Sequence, residues 1–310
     1  MRLNVILFTI VLGGLISGAV FFIFGYPVHV PTPHLAVGPP SGGQEAFLLP
    51  VSESNYSPVR DFNVPEPEIN AEAAILLDVA SNKLLYVKNI NKRLPIASLT
   101  KLMTAIVVVE NLDLDEVYIV PAESVNVDGL GADLYRGEKI KGRDLLKIML
   151  IKSSNDAAIA FVMAAQKRGI DLVGNMNQKA RDVGMHDTRF SDAAGLNDDE
   201  SFSTASDLVK LVRQAADYEL ISETSRMPSA EIIALTSRIY RITNTNQLLR
   251  RIPDIIIGKT GYTDKALGTM ALEVGLGGDN RVISIVLGSD DRFGETIKLI
   301  DWAKRAYKWE

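Results

Sequence analysis

The stretch Pro95-Ile96-Ala97-Ser98-Leu99-Thr100-Lys101, running on into Leu102-Met103-Thr104-Ala105-Ile106-Val107-Val108-Val109, decides how the chain is read. As a helix beginning near Ser98, it stacks Ser98 and Lys101 on one face, three positions apart, with a hydroxyl in reach of an amine. The residues after Lys101 are apolar almost all the way round, which predicts a central, buried helix. A lysine at the mouth of such a helix is poorly solvated, so its pKa falls and part of it exists as the free base. A free amine beside a serine can take the hydroxyl proton and create a nucleophile.

Around this helix the patterning predicts one domain over residues 71–310. Ala73-Ala74-Ile75-Leu76-Leu77-Asp78 and Leu84-Leu85-Tyr86-Val87 flank a turn at Ala80-Ser81-Asn82-Lys83 and read as a β-hairpin. Helical periodicity marks Asp144 to Ile151, a second run from Ala157 to about Lys167, and a third after Ser203-Thr204-Ala205-Ser206-Asp207, which resembles a capping box. Late in the chain the period becomes that of strands, from Ile255 to Gly261, from Thr269 to Val274 and from Arg281 to Leu287. A last helix is expected from Glu295 to about Lys308, with Ile297, Ile300, Ala303 and Tyr307 on its buried face. Strands at both ends with helices between them indicate an α+β fold whose antiparallel sheet joins its own termini.

The amino terminus differs in character. Val5 to Gly25 is a run of 21 residues without a charge, about 31 Å long as a helix and so matched to a bilayer core. Residues 1–26 are therefore expected to form a transmembrane anchor or uncleaved signal. Ser17-Gly18-Ala19 offers small residues at a cut site, but the apolar run continues through Phe24. With Arg2 inside, the bulk of the chain would lie outside the cytoplasm. Residues 27–70 hold nine of the thirteen prolines and read as a semi-rigid linker.

Composition narrows the chemistry. A net charge of −5 provides no basic footprint, so nucleic acid is not an expected partner. There are no cysteines, and two of the three histidines, His29 and His34, fall in the linker; the third, His186, reads as a surface-turn residue. Thiolate and zinc chemistry are thus not expected, and no cofactor is.

Ser98-x-x-Lys101 alone means little, since Ser98 could cap a helix and Lys101 could be solvated. Ser-x-Asn occurs at Ser124-Val125-Asn126 and at Ser153-Ser154-Asn155; the second is preferred because it lies between two helices, though these residue types also cap helices. Lys259-Thr260-Gly261 sits on an expected strand. The three elements, spaced by 55 and 106 residues, carry weight through their order.

The set resembles the penicillin-binding protein and serine β-lactamase superfamily, in which S-x-x-K occurs with a K-T-G box. It is closer to the low-molecular-weight D-alanyl-D-alanine carboxypeptidases, on Ala97 to Lys101, Lys152 to Ala157, Asn244-Thr245-Asn246-Gln247-Leu248-Leu249 and Gly258 to Asp264. Ser154 stands where that family often has glycine. The chain ends soon after this domain, so the amino-terminal span is expected to serve as its anchor. The resemblance implies a β-lactamase/transpeptidase-like fold and a serine D,D-carboxypeptidase acting on peptidoglycan stem peptides, with β-lactam antibiotics as covalent inhibitors. A D,D-endopeptidase on crosslinks, or a catalytically weak penicillin-binding scaffold, is the alternative. No Glu-x-x-Leu-Asn element is found, which argues against a β-lactamase. The resemblance further implies that Ser98 is the nucleophile and Lys101 its base, that Ser153 relays a proton to the leaving amine, and that Asn155 holds a substrate amide. On the strand, Lys259 would keep the cleft positive and lower the pKa of Lys101, and Thr260 would bind the substrate carboxylate. Gly261, Tyr262 and Thr263 would line the substrate, with the Ser98 and Tyr262 amides as oxyanion hole.

Overall fold

The computed structural model describes residues 57–125 and 134–309. A five-stranded antiparallel sheet is built from β2 (Ala73–Asp78), β3 (Leu84–Lys88), β8 (Ile255–Thr263), β9 (Leu267–Gly277) and β10 (Asn280–Ser289), in the order β3-β2-β10-β9-β8. The early hairpin thus pairs with the late strands, Ala73 facing Leu287 and Asp78 facing Val282, and the sheet joins the two ends of the domain as expected. β2 is buried along its whole length because both of its faces are covered. Side chains alternate between those faces. Ile75, Leu77, Ile283, Ile285 and Leu287 enter a large core shared with the helical region, whereas Leu76, Val282, Val286, Met270 and Leu272 pack with Leu299, Ile300 and Trp302.

The helical region consists of α1 (Thr100–Asn111), α2 (Gly142–Ile151), α3 (Asn155–Gln166), α4 (Leu172–Asp182), α5 (Ala205–Ala216) and α6 (Glu219–Ser225). Two small hairpins accompany it, one of β4 (Val117–Ile119) with β5 (Lys139–Lys141), the other of β6 (Ser229–Ile233) with β7 (Ile239–Thr243). Helix α1 is buried from Thr100 to Val108, the central position its all-round apolar sequence requires. The expected capping box closes α5, where Thr204 accepts from the Asp207 amide; at α3 the cap is Ser154, which accepts from the Ala157 amide, rather than Ser153 or Asn155.

Two boundaries differ from the sequence reading. Helix α7 (Arg292–Ala306) stops at Ala306; Tyr307 and Lys308 form β11, which pairs with β1 (Val59–Arg60). Residues 57–70, assigned above to the linker, are part of the folded domain. Ile69 is buried, the Asp61 amide donates to Ala306 O, the Ala71 amide donates to Glu295 Oε1 at 3.0 Å, and Arg60 lies over the Trp302 ring. Proline content masked this attachment, because a two-residue edge strand leaves no periodicity to read. The candidate membrane span and residues 27–56 of the linker lie outside the described residues, among which no helix is long and apolar enough to cross a membrane.

Candidate active site

Ser98 lies in a single 3-10 turn, Ala97–Leu99, that leads into α1. Lys101, in the first turn of α1, is completely buried. Its Nζ makes three contacts: with Ser98 Oγ at 2.8 Å, Asn155 Oδ1 at 2.7 Å and the Ala194 carbonyl at 2.7 Å. Burial pushes the Lys101 ammonium down from its ordinary 10.5 to about 7, with the Asp192 carboxylate acting in the opposite direction. The neutral amine has two N–H bonds and one lone pair. Two of its three neighbours are carbonyl oxygens that can only accept, so the N–H bonds are committed to them and the lone pair is left for the Ser98 hydroxyl. That arrangement can deprotonate Ser98.

Ser153 occupies the bend between α2 and α3 with φ of +61°, a conformation rare for serine. Because Ser154 caps α3, the Ser153 hydroxyl is free to face Lys259, whose Nζ donates to it at 2.8 Å and to the Thr260 carbonyl at 2.8 Å. Lys259 is buried on β8, an edge strand of the sheet. Burial, then the charges of Lys101 and Arg292, push its pKa well below the ordinary lysine value. The Thr260 hydroxyl meets that of Thr245 at 2.7 Å. β8 runs tightly beneath the Ser98 turn. A Cβ on Gly261 would lie 2.4 Å from Thr269 Oγ1 and 2.9 Å from the Ser98 amide nitrogen, so only glycine fits without displacement.

A family model described as D-alanyl-D-alanine carboxypeptidase matches residues 60–291. The chain belongs to this family. It is 28% identical over 270 residues to the D-alanyl-D-alanine carboxypeptidase DacF of Bacillus subtilis, a match covering 84% of this chain and 69% of that one. To a D-alanyl-D-alanine endopeptidase of Pseudomonas aeruginosa it is 32% identical over 244 residues, covering 76% and 78% of the two chains. The crystal structure of the Streptomyces K15 DD-transpeptidase superposes with a TM-score of 0.71 at 27% identity, covering 77% of this chain and 98% of that one.

Against this D-alanyl-D-alanine carboxypeptidase fold, the expected site residues can be placed one by one. Ser98, Lys101 and Asn155 form one hydrogen-bonded group; Ser153, Lys259 and Thr260 form a second; Gly261 touches the Ser98 turn. Tyr262 is largely exposed at the end of β8. The Thr263 hydroxyl accepts from the Ala266 amide at 3.0 Å, holding the β8–β9 turn. Burial is the first cause of the lowering at Lys101; at Lys259 burial comes first and the charges of Lys101 and Arg292 add to it, so the two buried amines disfavour each other's protonation. Arg292, the first residue of α7, adds a positive charge that acts on Lys259. In the other Ser-x-Asn, Ser124-Val125-Asn126, the Ser124 hydroxyl donates to Pro121 O, and Asn126 is outside the described residues.

The sequence reading missed the segment that completes the base. Asp192 accepts from the amides of Ala194, Gly195, Leu196 and Asn197, and so bends residues 192–197 into a compact loop that delivers the Ala194 carbonyl to Lys101. Gly195, with φ of +76°, packs where a Cβ would lie 1.9 Å from Ala97 O. Thr104 ties the same loop to α1 through Ala193 O at 2.7 Å. The available signal was Asp192 followed two residues later by Ala-Gly, an acceptor placed to collect turn amides. Among the described residues no group of three His, Cys, Asp or Glu side chains could hold a metal ion.

Proposed function

We propose that this chain is a serine D,D-carboxypeptidase that removes the terminal D-alanine from peptidoglycan stem peptides through an acyl-enzyme. The observation that carries the assignment of roles is the three-way contact of Lys101 Nζ with Ser98 Oγ and two carbonyl oxygens. Ser98 Oγ attacks the carbonyl of the penultimate D-alanine while its proton passes to Lys101, giving a tetrahedral oxyanion. Collapse breaks the C–N bond and leaves an ester on Ser98; the departing amine of D-alanine takes a proton through Ser153, which is tied to Lys259. Water then cleaves the ester and restores the Ser98 hydroxyl. The Ser98 and Tyr262 amides are the oxyanion donors, each worth on the order of 3 kcal/mol. Thr260 and the positive potential of Lys259 and Arg292 receive the free carboxylate, while the outer edge of β8, which pairs with no further strand of the sheet, takes the substrate as an added strand. Asn155 holds the substrate amide once Lys101 has released its Oδ1 to the incoming group.

β-Lactams would acylate Ser98 by the same attack. The uncharged run from Val5 to Gly25 supports a single-pass membrane location with the catalytic domain outside the cytoplasm. Fluorescent penicillin should label the wild type and not Ser98→Ala, and D-alanine release from a pentapeptide should follow the same pattern; wild-type protein that is never acylated refutes the reading. A D,D-endopeptidase is the second reading, favoured by the 32% identity to a protein of that name. Mass spectrometry of products from monomeric and crosslinked muropeptides separates the two.

A further inference from the structure

Two loops flank Ser98 and meet beyond it. On one side Gly195 presses on Ala97 O; four residues later, in the turn that follows, Asp199 stands exposed. On the other side Gly261 presses on the Ser98 amide; four residues later Lys265 stands in the β8–β9 turn. Lys265 Nζ and Asp199 Oδ1 are 2.5 Å apart. The ion pair therefore closes a ring whose remaining sides are the Ser98 turn, residues 195–199 and residues 261–265. Both arms are internally braced. Ser191 and Ser201 join hydroxyl to hydroxyl at 2.7 Å across the base of the first, inside which Asp192 collects its four amides. Thr263 holds the turn of the second. Only the two side chains at the junction, 58% and 77% exposed, are free to swing apart.

The direction of the substrate follows from the proposed function, on which this inference rests. With the carboxylate at Lys259 and Thr260 and the scissile carbonyl at Ser98, a chain laid along the β8 edge runs antiparallel to it. Residues before the two D-alanines then pass Tyr262 and Thr263 towards Lys265, at about 3.3 Å per residue. The stem thus leaves the cleft through the ring. We propose that the Lys265–Asp199 pair is a specificity-determining strap, admitting stem peptides whose diamino residue is unbranched and resisting those whose side-chain amine already carries a second stem. An unbranched chain slides beneath the pair, whereas a branch at the residue preceding the D-alanines meets it and requires it to part.

An exposed ion pair shifts such an opening equilibrium by a factor of about two to five, so the discrimination is of that size. The test compares D-alanine release (kcat/KM) from an unbranched pentapeptide and from the same pentapeptide acylated on its diamino side chain by a second stem peptide. Asp199→Asn and Lys265→Gln should leave the unbranched peptide unaffected, which also reports correct folding, and raise the branched one about two- to fivefold. The double exchange Asp199→Lys with Lys265→Asp should restore the wild-type ratio. Raising ionic strength should narrow the ratio in the wild type but not in Asp199→Asn, because salt screens an exposed pair. A ratio unchanged in both single variants, or unmoved by salt in the wild type, overturns the strap while leaving the carboxypeptidase intact. Absence of D-alanine release from either peptide by the wild type overturns the proposed function and the strap with it.

Discussion

If Lys101 is the base, the acylation of Ser98 should follow its titration. Lowering from the ordinary 10.5 to about 7 amounts to about 5 kcal/mol of disfavoured ammonium in a fully buried site. At pH 7 an ordinary lysine would be free base in about one molecule in 3,000, and this one in about half. The sign is fixed by the role. The base is active when deprotonated, so the second-order rate constant for acylation by a fluorescent penicillin rises through about pH 7 and is flat above about pH 8.5. At pH 5 it stands about 100-fold below the plateau. Stopped-flow labelling between pH 5 and 9.5 measures this directly. Two substitutions should move the limb in opposite directions. Asp192→Asn removes the charge that holds the Lys101 ammonium up, so its limb moves to lower pH. Asn155→Asp places a carboxylate at an oxygen now 2.7 Å from Nζ, stabilises the ammonium, and moves the limb to higher pH with slower acylation at pH 7. A profile flat from pH 5.5 to 9, or shifts of the same sign in both variants, would refute the assignment of Lys101 as the base.

Other outcomes follow from the packing. Ser98→Ala, at a half-buried position, should retain the wild-type Tm within about 2 °C and lose penicillin labelling entirely. Gly261→Ala forces β8 away from the Ser98 amide and Thr269, so acylation should fall by on the order of 100-fold, with about 1–3 kcal/mol of stability lost in urea melts. Gly195→Ala meets both a positive φ and Ala97 O; it should destabilise the domain and slow acylation together, since the loop that presents Ala194 to Lys101 is displaced. Ser154→Ala removes only the α3 cap, costing about 1 kcal/mol and a few degrees of Tm, with labelling kept above half the wild-type rate. Labelling abolished in Ser154→Ala would show that the division of labour between Ser153 and Ser154 is misassigned.

Much of the fold was legible because its elements are written in strong periodicities. The all-apolar run after Lys101 announces a buried helix, and β-branched runs such as Arg281 to Leu287 announce central strands; the structure places both as the sequence implies. What was not legible depends on single contacts between distant segments. Asp192 carries no periodic signal, and its importance lies in four amides collected within six residues and one carbonyl aimed at Lys101. Arg292 begins a helix far along the chain from Lys259, and nothing local marks it as a neighbour. The attachment of residues 57–70 rests on a two-residue pairing, scattered hydrogen bonds such as the Asp61 amide to Ala306 O, and isolated buried residues such as Ile69, inside a proline-rich composition that ordinarily signifies a spacer.

The site also contains strain that its glycines explain. Ala97 and Ser153 both hold positive φ, +48° and +61°, immediately beside the groups that do the chemistry, and such conformations cost of order 1–3 kcal/mol each. They persist only where the surroundings leave no alternative. Ala97 is gripped from two sides, by Gly195 against its carbonyl and by Gly261 near its Cβ, while Thr269 donates to the preceding carbonyl of Ile96. Ser153 is gripped by the start of α3, where Ser154 occupies the cap, and by the Lys259 hydrogen bond. The glycines therefore do more than avoid a clash. By letting a loop and an edge strand close on the Ser98 turn, they hold the nucleophile on a backbone that a free peptide would leave, at hydrogen-bonding distance from a lysine the same closure has stripped of water. Loosening either contact should relax the turn and rehydrate the amine together, so acylation rate and the acid limb should change in concert. A variant at Gly195 or Gly261 that slowed acylation while leaving the limb at about pH 7 would separate the two effects and show the strain to be incidental.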